Sequence, residues 1–123
     1  MKIVIFGSGL IGSQVAAGLA DAEHDVKALG RADGIDVTTS MGIAEAVEGA
    51  DVVVDLTNSP SWSDEDVLAL FRDGTGHILA AEVKAGVGHH VILSIVGADR
   101  LPDSGYMRAK VTQEDLVKAG PIP

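Results

Sequence analysis

The chain opens with residues 1–23, MKIVIFGSGLIGSQVAAGLADAE, a stretch that carries no charge from Ile3 to Ala20. Lys2, the apolar run and the small residues at Gly18 and Ala20 imitate a secretory leader or the start of a membrane span. Gly7, Gly9 and Gly12, with Ser8, Ser13 and Gln14, break the run where a span needs roughly 20 unbroken apolar residues. The same residues read better as two elements. Residues 3–6, IVIF, form a β-branched and aromatic run suited to a strand buried on both faces of a parallel sheet. Ile11, Val15 and Leu19 then recur at i, i+4 and i+8 with Ala16 and Ala20 beside them, which makes one small apolar helix face.

Between the two elements, Gly7-Ser8-Gly9-Leu10-Ile11-Gly12 matches G-x-G-x-x-G, and a strand before it with a helix after it is the context that gives the match meaning. Gly7 permits a tight turn, Gly9 lets a pyrophosphate reach the backbone without meeting a Cβ, and Gly12 lets the helix close on the strand. The N–H groups of the first helical turn, which have no intrahelical partner, face the anion. Residues 7–12 are therefore expected to cradle a dinucleotide.

The rest of the composition narrows the class. A chain of 123 residues with 46% hydrophobic residues and 15 glycines suits a single α/β core, 1–123, rather than a disordered segment or a domain plus a separate substrate module. The net charge of −9 argues against nucleic acid or an anionic membrane as partner, because both attract clustered Lys and Arg. With 3% aromatic residues there is no stacking platform for a single strand. The absence of cysteine removes disulfides and thiolate metal sites and fits a cytoplasmic location. His89 and His90 are adjacent on an expected strand and point to opposite faces, so no metal site is expected there. Ser94 lacks a G-x-S-x-G elbow and is no hydrolase nucleophile.

Strand and helix patterns alternate along the whole chain. A second strand falls at 26–29, a weak third at 34–39 (GIDVTT) and a helix at about 40–48 through Ile43, Ala44 and Val47. A strong fourth strand lies in ADVVVDLTN (50–58), and a long helical region spans about 63–85, loosened by Gly74 and Gly76. The acidic residues Asp64, Glu65 and Asp66 read as the start of that helix, and Trp62 before it as a ligand cover or a capping contact. HHVILSIVG (89–97) is the fifth strand and SGYMRAKVTQEDLVKAG (104–120) the next helix. The fold class expected is α/β, a Rossmann-like, doubly wound parallel sheet of about five strands with helices on both faces. Ligands of such sheets lie beyond the carboxyl ends of the strands, so the loops at 7–12, 30–33, 57–62 and 96–105 should converge, and Thr57, Asn58 and Ser59 join the cofactor set.

The end of the second strand bears on which dinucleotide is held. An NAD site usually has an acidic residue there for the ribose hydroxyls, whereas this chain reads Gly30-Arg31-Ala32, with Asp33 just beyond. Arg31 suits a 2′-phosphate as a charge-assisted donor, which favours NADP(H) over NAD(H). A second constellation is Tyr106-Met-Arg-Ala-Lys110. Residues four apart share a helix face, and an ammonium near a phenol favours proton transfer from it. Ser94 stands to bond a substrate oxygen, and Asn58 to hold a water or the lysine.

With these residues in view, IFGSGLIGS, DVVVDLTNSPS, AAEVKAGVGHHVILSIVGADRLPDSGYMRAKVTQEDL and the trailing AGPIP, the chain resembles an atypical short-chain dehydrogenase/reductase of the NmrA-like, NAD(P)-binding type over essentially its whole length. The resemblance implies NADP(H) or NAD(H) as cofactor. It also implies, in active members, a catalytic Ser94–Tyr106–Lys110 set in which Lys110 also holds the nicotinamide ribose. Phe6 stands where relatives commonly have another glycine, and His77 where many have an asparagine. In the family a sequence like AGPIP leads into a sixth strand and the elements of the substrate pocket. The chain is thus expected to be the N-terminal part of such a fold, with an open sheet edge that favours a homo-oligomer. The expected function is hydride transfer between NADP(H) and a small carbonyl or alcohol, and the alternative is a non-catalytic NADP(H)-binding sensor or regulator.

Overall fold

The computed structural model describes residues 1–59, 61–101 and 103–123; Pro60 and Pro102, which belong to two of the expected loops, lie outside the described residues. Strand β1 (Lys2–Phe6) leads into helix α1 (Leu10–Asp21), and β2 (Asp25–Leu29) follows. After a 3₁₀ turn at Arg31–Asp33 come a short α2 (Ile43–Val47) and β3 (Val52–Asp55). Helix α3 (Asp64–Leu68) runs through a π turn (Ala69–Gly74) into α4 (Thr75–Ala85). Strand β4 (His89–Ile92), a 3₁₀ turn (Ala98–Arg100) and α5 (Gly105–Ala119) complete the chain.

The sheet is parallel, with strand order β2-β1-β3-β4. Alternation along β1 decides which helix lies where. Ile3 and Ile5, with Val54, face Val15, Ala16 and Leu19 of α1. Val4, Phe6 and Val53 face the opposite way, onto Ile43 and Val47 of α2, Val67 of α3, Ile78 of α4 and Ala109 of α5. Both faces are covered by helices, which explains why β1 reads as an unbroken apolar run. The chain passes from β1 outward to β2 and then returns to β1's other side with β3, so the strand order reverses between β1 and β3. That reversal opens a crevice at the strands' carboxyl ends.

Two expectations need correction. The sheet has four strands among the described residues, because the segment at 34–39 is no strand: it makes one isolated antiparallel bridge, Asp36 to Met41. Its chemistry favours a turn. Gly34 sits at φ +81°, and the Asp36 carboxylate accepts hydrogen bonds from the Thr38 N–H (3.0 Å) and hydroxyl (2.6 Å), so the side chain replaces a ladder partner. Ile35 and Val37 are nonetheless buried in the core, which accounts for the apolar alternation seen in sequence. The helix expected at 40–48 is confined to Ile43–Val47, since its N-cap is Gly42 in a left-handed conformation with φ +79°. No helix among the described residues is long and apolar enough to cross a membrane.

Candidate functional site

A cleft of about 650 Å³ lies at the carboxyl ends of β1, β2 and β3 and is lined by Phe6–Gly9, Leu29–Arg31, Ile35–Thr38, Leu56–Ser59 and the α3/π-turn residues Asp66, Ala69 and Leu70. Its size falls among small-molecule and cofactor clefts.

The three motif glycines stand in different environments. Gly7 has φ +112°, and a Cβ there would lie 2.7 Å from the Leu56 carbonyl oxygen. A Cβ on Gly12 would run directly into the Gly7 carbonyl oxygen. Both are required by the protein's own packing. Gly9 is the exception: a Cβ there would meet nothing within 4 Å. Gly9 is also the N-cap of α1, whose first turn has no side-chain cap and no acidic residue. Its free amides and the positive end of its dipole are therefore open to an anion. The Ser13 hydroxyl donates to the Ser8 carbonyl at 3.1 Å and pins the turn to the helix. Leu10 and Ile11 are exposed at the helix start.

Beyond β2, the Asp33 carboxylate turns back and accepts from the Gly30 N–H at 2.9 Å, while Arg31 lines the cleft. Asp36 shares that wall. The bond from the Thr38 hydroxyl holds its carboxyl below the ordinary carboxylate value, with backbone donors and the Arg31 charge adding to the effect. The segment 35–38, with Asp66, Ala69 and Leu70, is the part of the cleft lining that sequence reading does not find. The available signal was Asp36-x-Thr38, a side-chain-capped turn pattern.

Beyond β3, buried Asp55 accepts from the Thr57 N–H (3.0 Å) and hydroxyl (2.6 Å), which turns the chain into the cleft. Asn58 Oδ1 accepts from the Ser59 N–H at 3.0 Å and from the Tyr106 hydroxyl at 3.3 Å. Residues 7–9, 30–31 and 57–59 of three of the expected loops thus meet at the cleft, while Leu10, Ile11, Gly12, Ala32, Asp33, Ser61 and Trp62 do not line it. Residues 96–105 do not: among those described, none lines the cleft.

Ser94, Tyr106 and Lys110 also lie outside the cleft lining. Tyr106 packs tilted against exposed Trp62 (ring centroids 5.4 Å apart) and edge-on to Phe71 (5.6 Å). Burial raises its phenol above the ordinary value, the opposite of what a close ammonium does. Lys110 is 4% exposed. Its ammonium donates to the Leu93 carbonyl at 2.7 Å and to Gln113 Oε1 at 2.5 Å, and sits 4.2 Å from the Phe71 ring centroid. Desolvation lowers its pKa, against the opposing charges of Asp55 and Glu114. The Ser94 hydroxyl donates to Glu114 Oε1 at 2.9 Å. The sequence brings Tyr106 and Lys110 to one helix face, where both touch Phe71; Ser94 is held against a different side chain of the same helix.

No family model matches the chain, and no curated protein matches it in sequence. Solved structures do match it in fold. A short-chain dehydrogenase/reductase superfamily protein from Agrobacterium tumefaciens with bound NAD is 24% identical, with TM-score 0.81 over 99% of this chain and 47% of its own. MoeE5 in complex with UDP-glucuronic acid and NAD is 22% identical, with TM-score 0.80 over 97% of this chain and 49% of its own. An oxidoreductase from Lactococcus lactis is 22% identical, with TM-score 0.74 over 99% and 65%. The chain thus spans about half the length of the first two. At these identities the likeness is one of architecture alone, a Rossmann-like α/β fold.

Proposed function

We propose that residues 1–123 form a nicotinamide-dinucleotide-binding domain of the short-chain dehydrogenase/reductase type, with NADP(H) preferred to NAD(H). The observation that carries the reading is Gly9. Packing demands the absence of a side chain at Gly7 and Gly12, but at Gly9 the missing Cβ leaves open space beside an uncapped helix terminus. Such a place fits a pyrophosphate and has no structural reason of its own. Bound NAD in the Agrobacterium tumefaciens protein and in MoeE5 supports the same ligand class here.

In this reading the amides of residues 9–12, with Ser8, hold the pyrophosphate. Arg31 takes the 2′-phosphate, which is favoured by the withdrawal of Asp33 onto the Gly30 amide. Thr57, Asn58 and Ser59 offer polar groups to the nicotinamide half. When bound, the nicotinamide supplies or accepts hydride. Tyr106 would exchange the proton with a small carbonyl or alcohol at its hydroxyl, which already reaches the cleft rim through Asn58. Ser94 would polarise the substrate oxygen, and Lys110 would hold the ribose and bias Tyr106; both would first have to leave Glu114 and Gln113, respectively.

Those commitments favour a second reading, a sensor or regulator of the NmrA-like kind that binds NADP(H) without turnover. Calorimetric titration with NADPH and NADH, followed by a panel of small carbonyls with the tighter cofactor, separates the cases. Binding with turnover that is lost in Tyr106→Phe supports the enzyme; binding without turnover supports the sensor. No binding of either cofactor overturns both.

A further inference from the structure

Tyr106, Lys110 and Gln113 occupy positions i, i+4 and i+7 of α5 and so form one stripe. All of it bears on the corner where β3 turns into the cleft. Tyr106 reaches Asn58 at 3.3 Å. Farther along the stripe, the Gln113 Nε2 donates to Asp55 Oδ2 at 3.3 Å while its Oε1 accepts from the Lys110 ammonium at 2.5 Å. The other oxygen of Asp55 holds both the N–H and the hydroxyl of Thr57, a cleft-lining residue. Asp55, Lys110 and Gln113 are 2%, 4% and 1% exposed. A buried carboxylate and a buried ammonium are therefore joined through one amide, with each of the amide's two ends matched to the charge it meets.

We propose that Gln113 and Asp55 are positioning residues for the dinucleotide cleft: the Lys110–Gln113–Asp55 chain fixes the orientation in which Thr57 is presented to the cofactor. This rests on the cofactor reading above, but the geometry of the chain does not. Gln113 suits the task because an amide is the side chain that offers an acceptor to a cation and a donor to an anion at once. In a solvent-excluded site neither charge tolerates loss of its partner, so the corner has one arrangement as long as Lys110 stays on Gln113.

The polarity of the chain supplies its own test. Gln113→Glu keeps an acceptor for Lys110 but sets a carboxylate against Asp55. Asp55→Asn keeps an acceptor for Thr57 but sets one amide donor against another. Made together, the two changes restore complementarity, because the amide introduced at position 55 donates to the carboxylate introduced at position 113, which also takes the Lys110 ammonium. Hydrogen exchange of the Thr57 amide in the ligand-free 123-residue chain reads the corner directly, and NADPH titration reads the cleft. Each single variant is expected to speed Thr57 exchange and to weaken NADPH by about tenfold, with the double variant within about threefold of the parent on both counts. A double variant that fails to fold, or that behaves no better than the singles, overturns the proposal. So does parental Thr57 exchange in both single variants; if the parent binds NADPH in that case, the cofactor reading survives without the chain. If Thr57 exchange follows the expected pattern while the parent binds no NADPH, the positioning of Thr57 is upheld and the cofactor reading is what falls.

Discussion

Gly9 and Gly12 are separated by two residues and by opposite physical demands. Gly9→Val should leave the domain folded, since a Cβ there meets nothing within 4 Å, yet abolish NADPH binding by filling the pyrophosphate's approach. Calorimetry beside a circular dichroism melt checks both, and tight binding by a well-folded Gly9→Val protein would sink the cradle. Gly12→Ala should instead cost about 3 kcal/mol or more of stability, because its methyl group would meet backbone that cannot step aside. Arg31→Ala should weaken NADPH more than NADH, by about 1.5–3 kcal/mol for a lost charge-assisted bond to phosphate. Equal weakening of the two cofactors removes Arg31 as the selector. Tyr106 is the single tyrosine of the chain, so ultraviolet titration of phenolate reports on it alone. Burial favours the neutral phenol, which places the midpoint above 10 in the folded protein. Because folding raises this pKa, the stability it contributes is present below the unfolded value of 10 and is lost as pH rises through the folded one. A midpoint at or below 10 would mean that a cation reaches the phenol after all.

At the scale of elements, the alternation of strand and helix was legible wherever one residue pattern answered one environment. β1, with both faces covered, reads as a continuous apolar run; α1, covered on one side, reads as a stripe of Val15, Ala16 and Leu19. The segment at 34–39 misleads because Ile35 and Val37 alternate like a strand while Asp36 caps the backbone of Thr38, and a local side-chain bond outcompetes a ladder that has no neighbour. The tight turn at Gly7 and Gly12 was legible because its steric demands are contiguous in sequence. The wall of Asp36, Val37, Asp66 and Leu70 was not, since it assembles residues about thirty positions apart through the π turn. The fate of Lys110 was half legible: Tyr106 four residues before it was read, and Gln113 three residues after it, on the same face, was not. The π turn also yields a pair of opposite expectations. Gly76→Ala meets open space inside α4 and should stabilise the protein by about 0.4–1 kcal/mol. Gly74→Ala gains similar helix propensity, but its Cβ would lie 2.8 Å from Val37 Cγ2, and overpacking of about 1–3 kcal/mol wins. Urea unfolding of the two variants checks the sign of each.

For the molecule as a whole, a ligand that binds the folded chain and not the unfolded one must raise its melting point. NADPH at a hundredfold excess over its dissociation constant should add about 2.7 kcal/mol, an upward shift of about 10 °C for a chain of this size. The shift should vanish in Gly9→Val, and a parent melting point that ignores NADPH would contradict the cleft assignment. Every residue that lines the cleft falls between Phe6 and Leu70, whereas Ser94, Tyr106 and Lys110 all follow β4. Under the proposed reading, the cleft residues and the proton-exchanging residues are thus written in separate stretches of the polypeptide. In that reading, substitution of Ser94 or Tyr106 would silence a reaction while the grip on the nucleotide persists, whereas substitution of Lys110 or Gln113 would reach both. Enzyme and sensor would then differ at Ser94 and Tyr106, neither of which lies in the glycine turn.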